Sequence, residues 1–130
     1  MYMYFTMLNF LIRYKFSITL AVFIAMLSLL PGNSMPDSSL FSIPALDKIA
    51  HFSLYTLFCF VALLESRCGT DCLRFHVLLL LAIFTLSAVI EVLQATVVPA
   101  RSAEWLDLLA NGSGLFAGYI AFRVFSMLRS

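Results

Sequence analysis

Long apolar runs separated by short clusters of charged residues dominate the chain. The clearest is the stretch 16–30, which is almost wholly aliphatic and aromatic and lies between Lys15 and the Pro31-Gly32 pair. Transmembrane β-strands alternate apolar and polar residues over about ten positions, and no such alternation is present. Each uncharged run is somewhat shorter than the roughly 20 residues that a bilayer core requires, so charged ends should lie at the interface. The pattern predicts an all-α integral membrane protein, a bundle of four spanning helices in one domain, at about 14–31, 47–64, 75–96 and 104–127.

Composition supports a lipid environment for most of these 130 residues. Hydrophobic residues make up 62% of the chain and charged residues 12%, against about 45–50% and 25% in soluble domains. A small globule with so few polar residues has no means of covering its surface. The net charge of +1 also gives no sign of a nucleic-acid partner, which requires a strong basic excess. Residues 1–12 are expected to lie at the interface as a short amphipathic segment or to be poorly ordered.

The positions of the basic residues predict an orientation. Only Lys48 and Arg101 fall on the side of the bundle that holds loops 31–46 and 97–105. Because cytoplasmic loops carry an excess of Lys and Arg, the other side, which holds both termini, is predicted to be cytoplasmic. Six basic residues lie there: Arg13, Lys15, Arg67, Arg74, Arg123 and Arg129.

Polar residues gather at the opposite, outer end of the predicted bundle. Ionisable groups inside a span are costly in lipid, so they should face the bundle interior and mark a functional site. Below them, Gly114 and Gly118 form a G-x-x-x-G spacing that lets a neighbouring helix approach closely. Several of the polar residues are separated by three or four positions, which places them on common helix faces. They are Asp47, Lys48, His51 and Tyr55 on the second span, Glu91 and Gln94 on the third, Arg101 in the following loop, and Asp107 and Asn111 on the fourth.

Three motifs carry these residues. They read DKIAHFSLY from Asp47, EVLQ from Glu91, and PARS from Pro99 followed by LDLLAN from Leu106. Their order over residues 45–120 resembles the VanZ-like family, small bacterial membrane proteins named for a teicoplanin-resistance protein. The resemblance implies a multi-pass protein of the bacterial inner membrane, and it assigns the family pattern to the polar residues above and to Gly114. Ala100 departs from the pattern, which often has Gly before the arginine.

Binding and catalysis are both open interpretations of this cluster. In the first, Lys48, Arg101 and His51 hold the phosphate or carboxylate of an anionic membrane lipid or head group. The resemblance suggests a lipid-linked cell-wall precursor or a glycopeptide as the ligand. In the second, the protein is a membrane-embedded hydrolase or transferase with His51 or Glu91 as the candidate catalytic residue.

Two further interpretations need no organic ligand. Asp47, His51, Glu91 and Asp107 offer ligand atoms for a divalent ion, but the two nearby cations oppose it, so no metal or other cofactor is expected. Alternatively, the polar residues form a structural network that fixes helix register. That network is predicted to pair Glu91 with Arg101 or Lys48, and Asp107 with His51.

The remaining candidate chemistry is simpler. Cys68 and Cys72 lie on the predicted cytoplasmic side, where thiols stay reduced, and no second pair completes a zinc site. Cys59 is expected to fill the core. His76, at the start of the third span, is expected to lie at the interface.

Overall fold

This computed structural model describes residues 2–30, 44–98 and 104–129, and helices joined by short connections make up these ranges. No strand occurs in these ranges, which confirms the predicted all-helical class. By length and composition, three helices in these ranges can each cross a membrane, at Ala45–Ser66, Leu73–Val97 and Trp105–Arg129. In chain order the helices are α1 (Tyr2–Arg13), α2 (Lys15–Leu29), α3 (Pro44–Ser66), α4 (Leu73–Val97) and α5 (Trp105–Arg129).

The predicted first span differs most from expectation. The chain bends by 72° at Tyr14, between α1 and α2, and the residues before the bend are helical. With 15 residues, α2 rises only about 22 Å, less than the roughly 30 Å of a hydrocarbon core. Together the two helices are long and apolar enough for one bent span. The described helices therefore give three candidate spans, and a fourth if the bent pair crosses as one.

A carboxylate from another helix caps the start of α2. The backbone N–H groups of Phe16 and Ser17 donate to the two Glu65 carboxylate oxygens, each at 2.9 Å. The Ser17 hydroxyl donates to Glu65 Oε2 at 2.5 Å. First-turn N–H groups have no partner within their own helix, and Tyr14 makes no side-chain cap. Glu65 therefore ties the end of α3 to the start of α2.

The apolar core lies between α2, α3, α4 and α5. Cys59 is fully buried in it, as the sequence predicts. His76 is buried as well, and its ring packs edge-on against Tyr119 and Phe122 of α5. The start of α4 thus turns His76 towards α5 and buries it in protein, while its depth in the membrane stays a prediction.

The closest helix contact joins α3 to α5. A β-carbon added at Gly114 would overlap the backbone carbonyl of Phe52, and one at Gly118 would lie 2.5 Å from the carbonyl oxygen of Thr56. Only glycine allows the two backbones to approach so closely, as the G-x-x-x-G spacing predicts. The helices run in parallel, since Lys48 faces Asp107 at one end and Phe60 packs on Phe125 near the other.

The short connection between α3 and α4 contains a disulfide between Cys68 and Cys72. The sequence-based expectation of two reduced thiols therefore differs from the structure. The helices end at Ser66 and resume at Leu73, so the two cysteines lie on a tight loop, where their side chains can meet. Arg123 of α5 donates to the carbonyl oxygen of Thr70 at 3.3 Å and fixes the loop against the bundle.

We predict that Gly114→Ala lowers the free energy of unfolding by about 1–3 kcal/mol, the usual cost of overpacking. The added methyl group meets backbone atoms of α3, which cannot rotate away. Thermal unfolding of the purified protein in detergent measures the effect. Gly112→Ala is the matched control, because its methyl group would only reach the Phe84 ring at 3.4 Å. Equal stability of the two variants would contradict the close contact.

Candidate functional site: a polar cluster shared by three helices

Eight polar side chains meet at the end of the bundle where α3 and α5 begin and α4 ends. Helical spacing aligns Asp47 with His51 on α3 and Asp107 with Asn111 on α5, and parallel packing brings these two pairs together. The antiparallel α4 adds side chains from its last turns. The polar cluster consists of Asp47, Lys48, His51, Ser87, Glu91, Glu104, Asp107 and Asn111.

Lys48 makes the ion pairs at the mouth of the polar cluster. Its Nζ donates to Glu104 Oε2 at 2.9 Å and lies 3.6 Å from Asp107 Oδ1. The Glu104 side chain is half exposed, whereas that of Asp107 is only 9% exposed. The lysine thus bridges an open carboxylate and a buried one. This arrangement replaces the predicted pairing of Lys48 with Glu91.

A hydrogen-bond chain crosses the interior of the polar cluster. Nδ1 of His51 bonds the amide oxygen of Asn111 at 2.9 Å, and the Asn111 amide nitrogen donates to the Ser87 hydroxyl at 2.9 Å. Asn111 and Ser87 are fully buried. Since a buried polar group without a partner costs free energy, Asn111 satisfies one group on each neighbouring helix. These two hydrogen bonds connect α3 to α5 and α5 to α4.

Two acidic side chains complete the interior. Glu91 is buried, and its Oε1 lies 3.7 Å from His51 Nδ1. On the open side, Asp47 Oδ1 lies 3.9 Å from His51 Nε2, and the Asp47 side chain is 46% exposed. His51 is therefore flanked by a buried and an exposed carboxylate. The predicted partner of His51, Asp107, also lies close, with a carboxylate oxygen within 4.8 Å of a ring nitrogen.

The other predicted site residues divide into two groups. Tyr55 is buried beside Ser87, so it extends the polar cluster towards the core. Gln94 is buried one turn beyond Glu91 on α4. Arg101 lies outside the described residues, and the proposed anion-binding role of its guanidinium stays a prediction.

Sequence reasoning missed two members of the polar cluster. Ser87 lies four residues before Glu91 and seven before Gln94, so it shares their helix face, and this spacing was the signal for it. Glu104 lies outside the motifs that resemble the family. Its pairing with Lys48 depends on the start of α5 lying beside α3, which no local pattern encodes.

The opposite end of the bundle has a different character. An open cavity of about 980 Å³ lies at the bend between α1 and α2, and basic side chains of Arg13, Lys15 and Arg67 line part of it. Glu65, the fourth charged group there, is occupied by the α2 backbone. Basic residues at this end fit the charge asymmetry that predicts a cytoplasmic face.

The fold and the polar cluster define an all-helical membrane protein with an ionisable cluster shared by three spans. The model of one family, VanZ/LLP1, matches residues 1–126. The chain therefore belongs to the VanZ/LLP1 family, and the match extends beyond the motifs on both sides. Neither the curated proteins nor the solved structures include a match to this chain.

We predict energetic coupling between His51 and Asn111. His51→Ala and Asn111→Ala should each destabilise the protein, because each leaves a buried polar partner without its hydrogen bond. The double variant should lose less than the sum, with a coupling energy of about 0.5–3 kcal/mol. Thermal unfolding in detergent measures all four proteins. The matched control pairs His51→Ala with Phe116→Ala, an exposed position on α5, and should be additive; additivity of the first pair would contradict the hydrogen bond.

Proposed function

We propose that this protein binds the phosphate-bearing head group of a membrane lipid or lipid-linked cell-wall precursor at the mouth of the polar cluster. The observation that carries the proposal is the meeting of ionisable side chains from three membrane-spanning helices at one bundle end. Such groups are expensive in lipid and mark binding or transport sites. Because the chain belongs to the VanZ/LLP1 family, we also propose that this binding serves the cell envelope and teicoplanin resistance.

Lys48 is the group best placed to meet a phosphate. Its side chain is 26% exposed and lies between an exposed and a buried carboxylate, so a ligand reaches the ammonium from the membrane surface. Arg101, three residues before Glu104, supplies a second cation in the same part of the chain. Charge-assisted hydrogen bonds to phosphate are stronger than those between neutral groups. In this proposal the phosphate replaces Glu104 as the partner of Lys48.

If phosphate replaces Glu104 as the partner of Lys48, substitutions of these two residues should change phosphate binding in opposite directions. We predict that Lys48→Gln weakens binding of a polyprenyl phosphate about tenfold or more, the loss of one charge-assisted hydrogen bond. Glu104→Gln should strengthen binding, because it removes the carboxylate that competes for Lys48. Binding is measured in phosphatidylcholine nanodiscs, with uncharged polyprenol as the matched ligand.

Arg129→Gln, at the other end of the bundle, is the protein control and should bind as the wild type does. Equal binding of polyprenol and polyprenyl phosphate would contradict the proposal. A loss of stability in both the Lys48 and Glu104 variants, with no change in binding, would support a purely structural network. Release of phosphate from the same samples, abolished by Glu91→Gln, would indicate a hydrolase.

The proposal places the polar cluster on the outer face of the bacterial inner membrane, with both termini in the cytoplasm. Six basic residues at the opposite end support this orientation. The disulfide between Cys68 and Cys72 belongs to that same end, and disulfides persist mainly in oxidising compartments. The disulfide therefore argues against a cytoplasmic loop, whereas the basic residues argue for one, and the orientation needs a direct test.

Thiol labelling in intact cells tests the orientation. We expect a membrane-permeant maleimide to label Cys68 and Cys72 after a permeant reductant has opened their disulfide. An impermeant maleimide should leave them unlabelled even after an impermeant reductant is added. A reductant that cannot cross the membrane does not reach a cytoplasmic loop. Cys68→Ser with Cys72→Ser is the control for labelling at the buried Cys59. Labelling from outside after external reduction would place both this loop and the termini outside.

A further inference from the structure

Three side chains at the mouth of the polar cluster have the arrangement of a metal site. Asp47 and His51 belong to α3 and Asp107 to α5, and one ligand atom from each lies within 4.8 Å of the others. Three ligand atoms on one ion, each about 2.1 Å from it, lie about 3.4–3.6 Å apart in tetrahedral or trigonal geometry. Each of the three side chains must therefore move by up to about 0.8 Å to close around an ion.

The hydrogen bond of His51 leaves the other ring nitrogen available as a ligand. The Asn111 amide oxygen only accepts, so Nδ1 of His51 carries the proton in their 2.9 Å bond. The amide nitrogen of Asn111 donates to Ser87, which holds the amide in this orientation. Metal-binding histidines almost always donate their second ring N–H to such a fixed partner. In the neutral ring, Nε2 then directs a lone pair towards the mouth, where Asp47 Oδ1 lies 3.9 Å away.

Asp107 supplies an unsatisfied acceptor. Its side chain is 9% exposed, and its buried Oδ1 accepts no hydrogen bond from any described residue. Lys48 Nζ lies 3.6 Å from this oxygen, beyond hydrogen-bond distance, and donates to Glu104 instead. Buried carboxylate oxygens normally have partners. A cation between Asp107, Asp47 and His51 would satisfy this one.

The charge balance also favours a cation. Among the described members of the polar cluster, one lysine faces four carboxylates: Asp47, Glu91, Glu104 and Asp107. The described carboxylates thus exceed the lysine by three formal charges. His51 Nε2 lies 3.9 Å from Asp47 Oδ1, too far for a hydrogen bond between them. A divalent ion neutralises two carboxylates at once.

We propose that Asp47, His51 and Asp107 bind one divalent transition-metal ion of the Zn²⁺ or Mn²⁺ class. Mixed imidazole and carboxylate ligands suit these ions, whereas Ca²⁺ and Mg²⁺ prefer oxygen alone. Three protein ligands leave coordination positions open on the exposed side of Asp47. A phosphate oxygen of the head group occupies one of them, and for this last ligand alone the inference rests on the proposed function.

Metal binding is tested without any lipid ligand. The full chain, purified in detergent and stripped with a chelator, is dialysed against micromolar Zn²⁺ or Mn²⁺, and bound metal is measured by elemental analysis. We expect one ion per chain, with affinity lowered at least tenfold in His51→Ala, Asp107→Asn and Asp47→Asn. Asp47 is half exposed, so its variant should fold even if the buried ones do not. Asp71→Asn, an exposed carboxylate in the loop at the other bundle end, is the matched control.

Two further measurements separate a metal site from a structural network. Lys48→Met should tighten metal binding severalfold, because it removes the competing ammonium, whereas it should weaken binding of polyprenyl phosphate. The absorption spectrum of bound Co²⁺ should change in His51→Ala. No retained ion in the wild type, or equal retention in the three ligand variants and in Asp71→Asn, would overturn the proposal.

The outcomes also distinguish this inference from the proposed function. Binding of polyprenyl phosphate that persists unchanged in chelator, by protein that retains no metal, would overturn the metal site alone. A bound ion together with equal binding of polyprenol and polyprenyl phosphate would overturn the head-group proposal alone. Loss of phosphate binding in chelator and its recovery with Zn²⁺ or Mn²⁺ would support both.

Discussion

The close parallel contact between α3 and α5 is the constraint on which the site depends. Gly114 and Gly118 lie directly against backbone atoms of α3, so the two helices have little freedom to slide or rotate past each other. This contact sets Lys48 opposite Asp107 and His51 opposite Asn111. A rotation of either helix by one residue, about 100°, would turn these side chains towards lipid. Packing of small residues in the middle of the bundle thus positions the chemistry at its end.

The polar cluster in turn reinforces the helix register. Hydrogen bonds and ion pairs inside a membrane protein are modest individually, but removal of one partner leaves a polar group buried without compensation. Asn111 illustrates the point, because its amide serves His51 on α3 and Ser87 on α4. A structural network and a ligand-binding site are therefore compatible interpretations of these residues. The buried interior, with Asn111, Ser87 and Glu91, holds the helices together, while the side chains of Asp47, Lys48 and Glu104 are more exposed.

Charged side chains are partnered differently at the two ends of the bundle. At the end opposite the polar cluster, the Glu65 carboxylate is fully used in capping α2, and the basic residues around the α1–α2 bend have no comparable set of buried partners among the described residues. At the polar cluster, carboxylates outnumber the described cations, and a buried oxygen of Asp107 accepts no hydrogen bond there. Among the described residues, the Glu65 carboxylate is therefore fully partnered at one end of the bundle, and that of Asp107 is not at the other.

The sequence by itself determined the all-helical class, the helices α3 to α5 and most members of the polar cluster. Apolar runs of helical length and spacings such as Asp47–His51 are local patterns. They can be recognised without knowing which segments pack against each other. Tertiary structure decided which residues pair. Lys48 meets Glu104, and His51 meets Asn111, because α3 and α5 lie in parallel, a relation between segments some 60 residues apart. The bend at Tyr14, the burial of His76 and the capping role of Glu65 have the same origin: each depends on a neighbouring helix that the local sequence does not specify.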